Sequence, residues 1–418
     1  MNYKYINNED DLVKICADNL LNNSYIAVDT EFVRRNTYWP VLSLVQIATR
    51  DVIYIFDAQE ISDLSSLWRV IYSPDIVKII HAPHQDLEIL VHLNGALPKN
   101  VFDTQTAALF TGLRDNIGYQ ALVDTLLGKQ VDKSEQFTDW TKRPLTQNQL
   151  DYAARDVAHL IEVHDQLKKQ LKKQNRYSWF EEEMHNYLSI GRFTTEPKEA
   201  WKKLRLAPWK AVHQPMLAGL AEWREKTAIE RNVAKSRIIK DMELGKIAKY
   251  ACPPEKLPEK FPTIWRKLEG MNLTNGFLEA YMDTLEQSKN LPEQNSLEPL
   301  SCLSQEQLRH YEFLKIVLSA LSRELQLPSW LLAEKQELEN YVRSSDVEQS
   351  GEQSKVREGW RNQAVWQVMQ NASQGKAGIS LQGGEPLLIQ AKSHEDIRIC
   401  RKICDFFQKM LGKSSKLV

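Results

Sequence analysis

Tyr25-Ile26-Ala27-Val28-Asp29-Thr30-Glu31-Phe32 is a short apolar run that ends in two carboxylates spaced two apart. Such a run reads as a strand, and in a strand residues i and i+2 point to one face. Asp29 and Glu31 are therefore expected on one side of the strand's carboxyl end, about 6–7 Å apart. Two carboxylates that close repel each other unless cations sit between them. Hard oxygen donors at this spacing suit Mg²⁺ or Mn²⁺. Taken alone, Asp-x-Glu is an ordinary solvated strand end, so its meaning depends on what the rest of the chain brings to it.

The neighbouring segments make an α/β sheet. Leu42 to Ala48 and Val52 to Phe56 are rich in β-branched and aromatic residues, and Thr49-Arg50-Asp51 between them is short enough for a hairpin. Ile76 to Ile80 reads as a further strand, followed by a helix from about Gln85. Strands mixed with helices, with at least one antiparallel pair, indicate a mixed sheet. Beyond Asp103 the period is helical. Thr146-x-x-Gln149, just after Pro144, has the form of a capping box that opens a helix from about Gln147 to beyond Leu167.

Two more acidic signals stand in these elements. Asp86, in His81-Ala82-Pro83-His84-Gln85-Asp86, opens the helix after a buried-type strand. By itself it could simply complement the helix dipole. Tyr152 and Asp156 lie one turn apart on the flank of the apolar stripe Leu150, Ala154, Val157 and Ile161, so their side chains can act at one place. His81 and His84 have a spacing that could bind zinc, but no third soft ligand lies nearby. Gly128-Lys129 and Gly383-Gly384 lack the context of a phosphate-binding loop.

At 418 residues the chain is too long for one ordinary domain. Its 54 Lys and Arg against 55 Asp and Glu exclude a uniformly basic nucleic-acid coat but allow a local basic patch. That patch falls at 198–249, where 13 Lys and Arg face 6 Asp and Glu, a net of +7, with Trp201, Trp209 and Trp223 interleaved. Phosphate contact is the expectation there. Residues 287–307 read as a polar linker, Gln305 to Arg343 and Arg357 to Met369 as helical, and 344–354 as a Ser/Glu/Gln-rich loop. No apolar run is long enough for a membrane span, and the acids at Glu9, Asp10 and Asp11 do not suit a signal peptide. Five cysteines without a C-x-x-C pair fit a reducing cytoplasm; Cys400 and Cys404 could share a helical face but make no complete metal site. Nothing demands an oligomer, so a monomer is expected.

Together these signals are far more specific than apart. Their order and spacing resemble the DEDD superfamily of 3′–5′ exonucleases, in the branch with a tyrosine four residues before the last aspartate. V-D-T-E-F-V-R-R-N-T-Y-W-P-V-L-S-L-V-Q-I-A, H-A-P-H-Q-D-L-E-I-L, V-F-D-T-Q-T-A-A and D-K-S-E-Q-F-T-D-W-T-K-R-P-L-T-x3-L-D-Y-A-A-R-D-V together are similar to the bacterial ribonuclease D family over roughly residues 5–170. W-R-E-K-T-A-I-E-R-N-V-A-K-S-R-I-I-K-D resembles an HRDC domain, a helical nucleic-acid-binding module.

The resemblance implies an α/β ribonuclease H-like catalytic domain, a mixed sheet flanked by helices, at 1–195. Two all-α HRDC-type domains would follow at 205–288 and 300–384, then a C-terminal helix and loose tail at 385–418. It implies that Asp29, Glu31, Asp86 and Asp156 bind two divalent metal ions, Mg²⁺ or Mn²⁺, one activating a water and the other stabilising the leaving 3′ oxygen. Tyr152 would orient the water, since a phenol of pKa ~10 is a poor base at neutral pH. The expected partner is RNA with a free 3′ end, tRNA precursors above all, trimmed to nucleoside 5′-monophosphates. Phe32, Tyr38 and Trp39 are candidates to stack on terminal bases. Gln136, Asp139 and Trp140 are candidates to line the cleft, and Arg34, Arg35, Lys142 and Arg143 to meet phosphates. The competing readings are a DNA exonuclease and a non-catalytic RNA-binding scaffold; none of the four acids is missing, which disfavours the scaffold. A chain cut near residue 195 keeps all five site residues and is expected to keep the chemistry.

Overall fold

The computed structural model describes residues 2–131, 138–204, 213–289, 303–343, 358–382 and 385–390. Gln136, Trp209, most of the 287–307 linker, the loop at 344–354, Gly383-Gly384, Cys302, Cys400, Cys404 and the segment from 391 onward lie outside them. The chain divides into two compact units, one built from residues 1–102, 130–161 and 187–300, the other from 103–129, 162–186 and 301–418.

The first unit holds the sheet. Its strands are β1 (Tyr3–Ile6), β2 (Tyr25–Val33), β3 (Val41–Ala48), β4 (Ile53–Asp57), β5 (Val77–Ile80) and β6 (Val101–Asp103), in the order β1-β4-β3-β2-β5-β6. β2 runs antiparallel to β3, and β3 to β4; β1 is parallel to β4 and β5 to β2. The expected mixed sheet and the Thr49–Val52 hairpin are therefore present, with Thr49 N–H donating to the Val52 carbonyl at 3.0 Å. β2 is central, and Ile26, Ala27 and Val28 are at most 1% exposed, as a strand covered on both faces requires. Helices α1 (Glu9–Asp18), α2 (Ser65–Ile71) and α3 (His84–Asn94) belong to the same unit, and α6 (Gln147–Ala158) packs across β2, β3 and β4.

β2 carries both acids as expected and continues to Val33, its pairing with β3 slipping between Glu31 and Phe32. One expectation for this unit needs correction. The helix expected from Gln147 past Leu167 is two helices, α6 and α7 (Leu160–Lys173), separated at His159. The break leaves Val157 and Ile161 both buried, so the apolar period runs through it unmarked. The capping box does open α6: Thr146 Oγ1 accepts from Gln149 N–H at 3.3 Å, and Gln149 Oε1 accepts from Thr146 N–H at 2.9 Å.

The first unit also contains a helical module of α9 (Gln214–Glu230), α10 (Lys235–Ile238), α11 (Asp241–Lys249), α12 (Leu257–Lys260), α13 (Pro262–Gly270) and α14 (Thr274–Lys289). Its core includes Leu220, Ala221, Leu244, Ile247, Leu268, Phe277 and Tyr281. α9 meets α14 at Gly219, where a Cβ would fall 2.0 Å from Thr284 Cγ2, so only glycine fits. α9 ends on Asn232 in the left-handed conformation (φ 48°), with Val233 N–H reaching back to the Ala228 carbonyl at 3.0 Å.

The second unit contains α4 (Thr104–Phe110), α5 (Tyr119–Leu127), most of α7, nearly all of α8 (Tyr177–Tyr187), α15 (Gln305–Leu325), α16 (Ser329–Leu332), α17 (Lys335–Arg343), α18 (Gly359–Arg361) and α19 (Gln367–Ser373), with a widened turn at Asn362–Trp366. It is not all-α as expected. β7 (Ala377–Gln382) and β8 (Glu385–Gln390) form an antiparallel hairpin, so 385–390 is a strand and not the start of a C-terminal helix.

Candidate active site

β2 supplies Asp29 and Glu31, the first turn of α3 supplies Asp86, and α6 supplies Tyr152 and Asp156. Each position follows from local structure. The strand pleat puts Asp29 and Glu31 on the face that α6 covers, and the i, i+4 spacing puts Tyr152 and Asp156 together on the helix. Carboxylate oxygens of Asp29, Glu31 and Asp156 all lie within 4.8 Å of one another. Asp86, 7% exposed, accepts a hydrogen bond from the hydroxyl of Thr30, the buried residue between the two strand acids. The Tyr152 hydroxyl, on a residue 8% exposed, donates to Asp156.

The electrostatics are those of an overloaded anionic site. Burial, then the charges of Asp86, Asp156 and Glu31, push Asp29 well above the usual carboxylate range. Burial and the charges of Asp156 and Asp86 push Glu31 up to about 9. Burial raises Asp156 to about 7 against the opposing hydrogen bond from Tyr152, and Asp86 to about 6 against hydrogen bonds from Thr30. A donor set made only of carboxylate oxygens, crowded until its members resist ionising, fits divalent hard cations, whose charge would relieve the crowding. Tyr152 is raised by burial and then by Asp156, Glu31 and Asp29, so the phenol stays protonated and can only position a partner.

The remaining candidates scatter. Phe32 is half-buried, just past the slip in the strand pairing. Tyr38 packs against the helical module, and its hydroxyl donates to Glu225 at 2.5 Å. Trp39 stacks on His92 of α3, ring centroids 4.0 Å apart and nearly parallel. Arg34 pairs with Glu88 at 2.7 Å, and Arg35 with Asp139 at 3.5 Å.

Trp140 is 2% exposed and packs beside Tyr152, ring centroids 5.9 Å apart. One candidate takes a different role from that expected. Arg143 has no donor left for a phosphate. Its Nε and Nη2 meet the two Asp57 oxygens at 2.5 and 2.6 Å, and its other N–H groups go to the carbonyls of Trp140, Lys142 and Ser43. Asp57 is fully buried and also accepts from the Tyr5 hydroxyl. Sequence reasoning missed Asp57, although an aspartate closing the run V-I-Y-I-F was a visible signal. It also missed Thr30 and Gln46; the latter faces Asp29 across the β2–β3 ladder and is fully buried.

A family model described as a 3′–5′ exonuclease matches residues 3–172. Ribonuclease D of Sphingobium indicum is 34% identical over 384 residues, 89% of this chain and 95% of that protein. Ribonuclease D of Zymomonas mobilis is 32% identical over 383 residues, 90% of this chain and 95% of its own length. Among solved structures, Escherichia coli RNase D, described as an exoribonuclease involved in structured RNA processing, aligns with a TM-score of 0.74 at 26% identity over 89% of this chain and 98% of that one.

Proposed function

The chain belongs to the ribonuclease D family and is a 3′–5′ exoribonuclease, and from that premise we propose that it trims the 3′ ends of structured RNA, tRNA precursors above all, with two divalent cations, Mg²⁺ or Mn²⁺, in the carboxylate cluster. The observation that carries the metal reading is the convergence of Asp29, Glu31 and Asp156 within 4.8 Å, with Asp86 beside them. Cations bound by these four would supply Lewis-acid charge for water activation and for the leaving 3′ oxygen. Tyr152, held by Asp156 and braced by Trp140, orients the attacking water. Hydrolysis adds that water across the P–O3′ bond, releasing a nucleoside 5′-monophosphate and leaving a new 3′-hydroxyl.

The tRNA preference rests on the family resemblance, supported by the +7 segment at 198–249; the HRDC reading of 205–288 is supported by the helices α9 to α14 and their shared apolar core. A second HRDC-like domain is proposed from 300, with the β7–β8 hairpin at its end. The same reading takes the protein as a cytoplasmic monomer with free thiols. Cys16 and Cys252 are both unpaired, and no helix among the described residues is long and apolar enough to cross a membrane.

The test is incubation with 3′-labelled RNA and DNA, with Mg²⁺ or with a chelator. Mononucleotide release from RNA that stops in chelator is expected, and release indifferent to chelator overturns the metal reading. Mg²⁺ should also raise the melting temperature of the full chain. At a cation concentration a hundredfold above Kd the stabilisation is about 2.7 kcal/mol. Tyr152→Phe removes one orienting hydroxyl and no carboxylate, so its loss of kcat should be smaller than that of Asp156→Asn. The reverse order in two folded variants would refute the assigned roles.

A further inference from the structure

The loop joining β2 to β3, residues 34–40, begins three positions after Glu31 and is held from two sides. On one side α3, the helix that carries Asp86, grips it through the Arg34–Glu88 pair and the Trp39–His92 stack. On the other side the helical module grips it at three points. The Tyr38 hydroxyl donates to Glu225 Oε1 at 2.5 Å. Trp39 N–H donates to the side-chain oxygen of Asn232 at 3.0 Å. Ala234 N–H donates to the Asn36 carbonyl, also at 3.0 Å.

Glu225 is the unusual member. It is 0% exposed, and its second carboxylate oxygen has no hydrogen-bond partner. Oε1 also takes Lys235 Nζ at 3.2 Å, and that ammonium lies 5.7 Å from the Tyr38 ring centroid. A desolvated carboxylate with one oxygen unpaired costs stability. Lys235 pairs with Glu225 inside the helical module, and the contact by which Glu225 reaches beyond the module is the one with Tyr38.

We propose that Glu225 is a positioning residue for the exoribonuclease reaction: through Tyr38 it fixes the β2–β3 loop, and with it the strand end bearing Glu31. The proposal rests on the exoribonuclease activity and adds a remote determinant of its geometry. It reverses the expectation that a chain cut near residue 195 keeps its chemistry, because the cut removes Glu225, Asn232, Ala234 and Lys235 together. A displacement of about 1 Å in a reacting group can cost on the order of a hundredfold in rate. The loss should appear in kcat and not in KM, because alignment is what changes.

The experiment uses the full chain and a short single-stranded oligoribonucleotide that reaches only the cleft. Glu225→Ala and Tyr38→Phe should each lower kcat about tenfold or more with KM nearly unchanged. Glu225→Gln, which keeps an acceptor for the Tyr38 hydroxyl, should recover most of the rate. The double variant Tyr38→Phe/Glu225→Ala should be no slower than the slower single, because both remove one contact. Glu222→Gln, which breaks only the Glu222–Lys226 pair on the same helix, is the control and should turn over like the parent. Tyr38→Phe loses a single oxygen, so it decides the matter even where Glu225→Ala folds poorly. Parental kcat in Tyr38→Phe, losses that multiply in the double variant, or a kcat loss equal to the unfolded fraction seen by circular dichroism would each overturn the proposal. Turnover of the oligonucleotide by the parent reads the underlying activity separately.

Discussion

Asp29→Asn should abolish hydrolysis and at the same time make the cation-free protein harder to melt. The activity loss should be at least about 10³-fold, because water activation and leaving-group stabilisation fail together when one of the clustered carboxylates is neutralised. The stability gain follows from the sign of the pKa shift. Burial and three neighbouring acids hold Asp29 well above the ordinary carboxylate value, so its ionised form works against the fold at every pH above that ordinary value. Asparagine removes the charge and most of the penalty. The check is a single-turnover assay beside thermal melts at neutral pH in chelator. Activity within tenfold of the parent would refute the metal assignment, and a lower melting temperature would refute the picture of a repulsive cluster. Added Mg²⁺ should narrow the gap in melting temperature, since it stabilises the parent and not the variant.

The second large effect lies away from the acids. Arg143→Met strips the buried Asp57 of its cation and leaves it only the Tyr5 hydroxyl and backbone N–H groups, Gln59 at 2.9 Å among them. Removing one partner of a buried pair costs about 3–5 kcal/mol, because the surviving charge stays desolvated. Arg143→Met/Asp57→Asn, with both charges gone, should regain much of that in urea unfolding. Burial alone would raise Asp57, but its hydrogen bonds from Arg143, Tyr5 and Gln59 outweigh burial and hold the carboxyl below its usual value. A depressed carboxylate contributes stability that is complete above the unfolded pKa of ~3.9 and is lost as pH falls through the folded value. The difference between parent and Arg143→Met should therefore shrink in acid. A loss under about 1 kcal/mol at neutral pH would show the pair to be a weak surface-type contact.

What the chain disclosed before its structure was known was local in kind. Asp29 and Glu31 two apart, Tyr152 and Asp156 four apart, and Thr146 three before Gln149 are spacings that one element's geometry interprets. The joint order of these signals then supplied the family. The Asp57–Arg143 clamp joins positions 86 apart and the Tyr38–Glu225 contact positions 187 apart, and no periodicity links either pair. Tyr38 and Trp140 are aromatic residues near acids, a pattern that suits stacking on bases as well as packing against protein; only burial and partners separate the two. β1 is four residues long, and its pairing with β4 is non-local. The β7–β8 hairpin was legible but passed over: the alternating I-S-L-Q and the apolar run L-L-I flank Gly383-Gly384, a two-residue turn signal.

The four acids come from β2, α3 and α6, in that order along the chain. A ribosome makes the protein from its first residue onward, so Asp29, Glu31 and Asp86 exist while Asp156 does not. From position 86 to position 156 is 70 positions, roughly 3.5–14 s of synthesis at 5–20 residues per second. Through that interval the growing polypeptide carries three of the four acids and lacks the fourth. The sheet can form early, but the last carboxylate and the tyrosine arrive on a helix that must fold back across β2, β3 and β4 before the cluster closes. The cluster is therefore completed only after all six strands of the sheet have been synthesised.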